Sequence, residues 1–309
     1  MTELPREEAI HTGIPDDFRH LLEQNAYDKV LQLVLGYFTD KGERVISLKD
    51  GILLVQDDEK KELKYGLDNL VRIVAATSLA DWESVIYSYF NKVNFAENAY
   101  RFFFKDFEHA RMHIKALIKP EAILGYEFAR DLVNRRDFPG TCTVLVFDYN
   151  GQFRFLSSDD VKEWQQEEAV LFEEAFCNIA QEEVTVHKME VENGIEIYTF
   201  FSGDFSAVKM IELERNADFA HGTYGAVVTI PTKGAAFVSP VVNQQVMKQV
   251  EILAPLATQF FEQNPGNITP DIFWYYRGQI QEFIKKPAAN GFTSIAMPAG
   301  LVQLLASTQ

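Results

Sequence analysis

The chain has 309 residues, 47% of apolar types and 24% charged, with 25 phenylalanines. This is the make-up of a folded protein with a substantial core, and it excludes a disordered or fibrous chain. With 29 basic against 45 acidic residues the net charge is −16, which excludes nucleic acid as a partner, because a phosphate-binding surface needs clustered Lys and Arg.

The basic runs are confined to Lys60-Lys61, Arg135-Arg136 and Lys285-Lys286, so no membrane partner is expected either. The opening MTELPREEAIHTGIPDDF lacks a basic head followed by an apolar run, so no signal peptide is expected. No apolar stretch reaches the ~18 residues that a bilayer span needs. Cytoplasmic residence is the resulting expectation. Cys142 and Cys177 are expected as small core residues rather than a disulfide.

In chain order, a linking helix is expected at Asp16 to Phe38. RVISLK and ILLVQ then flank Asp50-Gly51, the dipeptide that a two-residue type I′ hairpin turn favours. The charged DDEKKELKYG reads as an insertion before a helix carrying Leu67, Leu70, Val71, Val74, Trp82, Val85, Ile86 and Tyr89 at helical intervals. NAYRFFF reads as a strand. MHIKALI alternates like another strand, with Asp106 an equally good cap for a short helix. A second linking helix is expected at about Glu121 to Asn134.

CTVLVFDY and QFRFL flank Asn150-Gly151, and one long helix is expected from Asp159 to Glu182, with Val161, Trp164, Phe172, Phe176 and Ile179 as its core stripe. Nine carboxylates and one Lys lie between Asp159 and Glu183. A hairpin at Asn193-Gly194, a linking helix at Phe205 to Arg215, and a hairpin at Lys233-Gly234 follow. The next helix carries Val246, Val250, Leu253, Ala257 and Phe260, with a kink or break expected at Pro255. The last hairpin turns at Arg277-Gly278.

Gly151 to Gly194 and Gly234 to Gly278 are nearly equal separations, each enclosing hairpin, helix and hairpin. The expected fold class is therefore α+β: two or three tandem ββαββ units with linking helices, antiparallel sheets packed against helices. The expected domains are 1–135, a second unit at 136–218, and a third at 219–309 with a C-terminal tail.

GLDNLVRIV at Gly66 to Val74, VLVFDYNGQFRFLSSDDVKEW at Val144 to Trp164, EEAFCNIA, VVTIPTKG and ITPDIFWYYRGQIQEF resemble, in order and spacing, the YtpQ-like bacterial proteins of unknown function. The resemblance covers residues 65 to 285. It implies a cytosolic bacterial protein and carries over no site residues, since the family has no established activity. The ββαββ pattern is also similar in fold to type III secretion chaperones and YbjN-like proteins, which are acidic and bind other proteins.

Candidate chemistry is sparse. His109 and His113 have the i, i+4 spacing of a helical zinc pair, but no third ligand is evident. Ser206 and Lys209 match a Ser-x-x-Lys element without its partner motifs. The pairs Asp57-Asp58 and Asp159-Asp160 sit where turns and helix starts favour Asp for backbone reasons. Asp148 and Asp204, each closing an apolar strand, are the carboxylates best placed to face a cleft. The runs Phe102-Phe103-Phe104 and Phe273-Trp274-Tyr275-Tyr276 put rings on both faces of a strand, one face core and the other either a covered sheet or a binding patch. No cofactor and no metal are expected. The expected function is non-enzymatic protein binding of a chaperone or adaptor kind; the alternative is a hydrolase whose carboxylates and histidines converge from separate segments. The oligomeric state is left open.

Overall fold

The computed structural model describes residues 12–56, 60, 62–191, 194–287 and 293–307. The chain divides into two compact units, Met1–Asn98 and Ala99–Gln309.

The first unit contains α1 (Gln24–Asp40), the strands β1 (Arg44–Lys49), β2 (Ile52–Gln56) and β3 (Glu62–Gly66), then α2 (Asp68–Ala75) and most of α3 (Trp82–Phe103). The strands form an antiparallel meander in the order β1-β2-β3. Asp50 and Gly51 both have positive φ, as the type I′ turn requires. Tyr37, Phe38, Leu53, Leu70 and Phe90 are fully buried in one core. Two expectations fail here. ELKYG is a paired strand and not part of an insertion, because its Leu63 and Tyr65 alternate toward the core. NAYRFFF continues α3 without a break and forms no strand; Asn94 on that helix accepts a hydrogen bond from Tyr65 Oη at 2.7 Å. The unit is thus α, three strands, then helices, and not a ββαββ copy.

The second unit begins with the short α4 (Phe107–Ala110) and β4 (Ile114–Pro120), followed by β5 (Asn134–Arg135), β6 (Thr141–Tyr149) and β7 (Gln152–Phe155). These strands make a four-stranded antiparallel sheet centred on β6. Where a helix is expected at Glu121 to Asn134, the chain makes two 3-10 turns, Glu121–Gly125 and Glu127–Ala129. Then come α5 (Ser158–Trp164), α6 (Glu168–Gln181), β8 (Thr185–Val191), β9 (Ile195–Phe201), α7 (Ser206–Lys209) and α8 (Leu213–Ala217). The long acidic helix is thus two helices. Gln165 adopts a left-handed conformation, and the amides of Gln165 and Gln166 close α5 onto Lys162 O and Val161 O.

Strands β10 (Ala226–Thr232), β11 (Ala235–Pro240), β12 (Ile272–Tyr276) and β13 (Gln279–Glu282) join β8 and β9 in a six-stranded antiparallel sheet ordered β13-β12-β10-β11-β9-β8. The helix α9 (Val246–Gln263) runs through Pro255 as one continuous element, so the expected break does not occur. A small hairpin, β14 (Ile284–Pro287) with β15 (Thr293–Ala296), and α10 (Ala299–Ala306) close the described chain.

The central strands are buried on both faces. Val227, Phe237, Ile272 and Trp274 pack with α9 and α10, while Ala226, Val228, Phe273 and Tyr275 join the core shared with α6 and the four-stranded sheet. The aromatic run at Phe273 to Tyr276 therefore lies in a covered sheet. Pro231 has no amide hydrogen, and the β10–β11 register shifts between Thr229 and Thr232 around it. At Gly225, φ is +89° and an added Cβ would lie 2.1 Å from Tyr275 O, so a side chain there would collide with β12.

The equivalence of the two ββαββ segments does not carry into the sheets. In the later segment both hairpins sit in one sheet, with β10 paired to β12. In the earlier one, β6 and β7 belong to the four-stranded sheet and β8 and β9 to the six-stranded sheet. The expected boundary at residue 135 falls at the end of β5, parting it from its partner strand β6, and that at 218 lies inside a shared core.

Candidate functional site

The expected histidine pair separates. Asp106 caps α4 through its side chain, accepting from His109 N, and His109 Nδ1 lies 2.5 Å from Asp106 Oδ2 at the exposed surface. His113 leaves the helix for a 3-10 turn, packs edge-on to Phe104, and places Nδ1 3.1 Å from Asp148 O. Among the described residues no group of three or more His, Cys, Asp or Glu could hold a metal ion. Asp57 and Asp58 fall outside the described residues, as do the side chains of Phe102 and Phe103.

Ser206 and Lys209 share the short α7 but take separate partners. The Ser206 hydroxyl donates to Ser202 Oγ at 3.0 Å, whereas Lys209 Nζ donates to Ala180 O at 3.2 Å. Lys209 thereby caps the C-terminus of α6, where a cation is favoured. Burial lowers its pKa, opposed by Glu182.

Asp160 is buried and satisfied on every side. Arg154 donates through both Nη atoms at 3.0 and 3.1 Å, Tyr100 Oη donates at 2.5 Å, and Ser157 N donates at 2.7 Å. The Arg154 guanidinium also lies 3.8 Å from the Tyr100 ring centroid. Burial alone would raise the Asp160 pKa, yet Arg154, Tyr100 and Ser157 outweigh it and hold the carboxyl below its ordinary range. Its neighbour Asp159 is exposed and pairs with Lys162.

Asp148 and Asp204 do approach one region, through lysines. Lys115 Nζ lies 2.6 Å from Asp148 Oδ2 and 2.5 Å from Glu182 Oε1, over the Phe205 ring at 4.7 Å. Asp204, next in sequence to Phe205, pairs with Lys233, whose Nζ sits 5.7 Å from the Phe153 ring. Burial alone would lower Lys115, but its two carboxylate partners raise its pKa overall. Each carboxylate here has a lysine, so the cluster ties strands and helix together and offers no free acid.

A different surface keeps its charges available. Glu168, Phe172 and Phe176 recur every four residues along α6, with Ala169 and Glu173 beside them, so two exposed acids flank two buried rings on one side of the helix. Pairing of β5 with β6 brings Arg135 to this side, its guanidinium 4.7 Å from the Phe172 ring and 4.5 Å from the Phe176 ring. Arg135 Nε donates to Asp137 Oδ2 at 3.0 Å, which also accepts from Thr143 Oγ1. Asn134 and Glu212 complete an open groove of about 480 Å³. Glu212 is engaged by Arg215 at 3.0 Å, while Glu168 and Glu173 are exposed and have no ion-pair partner among the described residues.

The sequence expectation held the aromatic stripe and the acidity of this helix, but gave Arg135 only as part of a basic run and not beside these rings; a two-residue strand leaves no periodicity to read. Cys142 is buried, which pushes its thiol up to about 11, and Cys177 is likewise a free thiol. Comparison with protein families, curated proteins and solved structures finds no match to this chain. No helix among the described residues is long and apolar enough to cross a membrane.

Proposed function

We propose that this chain is a non-enzymatic protein-binding module that takes a basic segment of another protein in the groove beside α6. The observation that carries this reading is the pair of unpartnered carboxylates, Glu168 and Glu173, flanking an aromatic floor whose own cation is already neutralised by Asp137. A Lys or Arg side chain entering there would find acids at the rim, above Arg135 and the buried rings it covers, so recognition would come from the two carboxylates. Further exposed acids at Glu163 and Glu167 extend the negative field along the same stretch and would speed the encounter. The separation of His109 from His113 and the pairing of Asp148 and Asp204 with lysines favour binding over the alternative of a hydrolase built from converging carboxylates and histidines. We also propose, on the quoted segments alone, that the chain is a YtpQ-like protein.

The test is fluorescence anisotropy with Lys/Arg-rich and Asp/Glu-rich peptides of equal length. The basic peptide should bind with an affinity that falls as salt rises, and E168Q/E173Q should weaken it. Equal binding of both peptides, or an unchanged affinity in the variant, would overturn the proposal.

A further inference from the structure

The sheet order ends at β8, whose seven residues pair on one side with β9 and, among the described residues, with no strand on the other. Six of the seven are exposed, including Val186 at 39% and Met189 at 46%. A long, open edge of this kind is a template for another strand. Proteins usually block such edges with a charge, and Lys188 is well placed to do so. Here, however, Glu190 stands two residues further along on the same face, because side chains alternate with period two. The edge therefore carries both signs.

We propose that β8 is a homodimer interface, pairing antiparallel with β8 of a second copy about a two-fold axis at Met189. In that register Lys188 of each copy faces Glu190 of the other, Met189 meets Met189, and His187 faces Val191, since directly opposed residues share a face. Centring the pair one residue earlier would set Lys188 against Lys188, so charge selects the Met189 register. Lys188 keeps its existing contact with Glu196 at 2.6 Å on the inner strand, giving each ammonium an acid on either side. The contact is isologous and closes at two copies.

Sedimentation velocity of the full chain over a concentration series tests this. The unmodified protein should populate a dimer whose fraction falls with added salt. K188E and E190K, each of which sets like charges opposite, should weaken association by about tenfold or more. An equimolar mixture of the two variants should recover the dimer, because the K188E strand then carries acids at both positions, the E190K strand carries lysines at both, and every charge meets its opposite. M189K, which disturbs no ion pair within the chain, should be monomeric with an unchanged circular dichroism spectrum; it guards against K188E failing to fold once Glu196 loses its lysine. A monomer at every concentration, a species larger than a dimer, single variants that associate like the parent, or a mixture that fails to recover would each overturn the proposal.

Discussion

Two arginines of the second unit, Arg154 and Arg135, meet aromatic rings and a carboxylate in much the same way, yet their surroundings differ. Arg154 lies over Tyr100 and grips the buried Asp160 with two hydrogen bonds, and Tyr100 and Ser157 use up the remaining acceptor capacity of that carboxylate. Arg135 lies over Phe172 and Phe176 and holds Asp137 through Nε, at the side of an open groove whose Glu168 and Glu173 remain unpaired among the described residues. The same residue types act as a fastener where every partner is enclosed and as a receptive surface where acids are left in water. Exposure sets the difference, because a desolvated charge is costly without its partner and a solvated one is not.

Substitution should separate the two regions. The largest loss is expected for D160N, which leaves the Arg154 cation beside a neutral amide; about 3 kcal/mol of stability should disappear in denaturant unfolding. A midpoint unchanged from the parent would place Asp160 with the dispensable surface acids. K115M comes next, at about 2 kcal/mol, since Asp148 and Glu182 would face each other without their shared ammonium. Denaturant unfolding of K115M against the parent checks this, and an unchanged midpoint would make the lysine dispensable to the fold.

The acid limb of the parent protein sharpens the contrast. The folded pKa of Asp160 lies below its ordinary value of 3.8. Its stabilisation is therefore complete above that ordinary value and is lost as pH falls toward the depressed folded one. Asp271 is also lowered; burial alone would raise it, but Lys285 and Thr269 outweigh that effect. D160N should flatten the loss of stability below pH 3.8, and a limb as steep as the parent's would show that other groups govern it. The smallest effect is expected at the groove. E168Q/E173Q should change the unfolding free energy by no more than about 0.5 kcal/mol, while slowing the association of a basic peptide at low salt.

Much of this molecule is legible in local chemistry. Asn150 and Gly151 have positive φ, as do Arg277 and Gly278, and each pair turns a hairpin where the dipeptide indicates. The stripe of Trp164, Phe172, Phe176 and Ile179 is buried, while Glu163, Glu167, Glu168 and Glu173 stay exposed on the same stretch. The exceptions are the half-buried Glu174 and Glu182, which pair with Arg111 and Lys115 on distant segments.

The sequence by itself determined the α+β class, the antiparallel hairpins and the polarity of each helix, because turn geometry and apolar periodicity act between residues a few positions apart. Tertiary structure alone decided which sheet each hairpin joins, where the acidic helix breaks, and which of its faces meets Arg135. Hairpins with similar turns can be buried against either sheet, and a left-handed residue such as Gln165 is tolerated when Trp164 and Phe172 on either side of it gain buried contacts. The groove depends on β5 and α6 meeting across a core, and packing of that kind leaves no period in the chain.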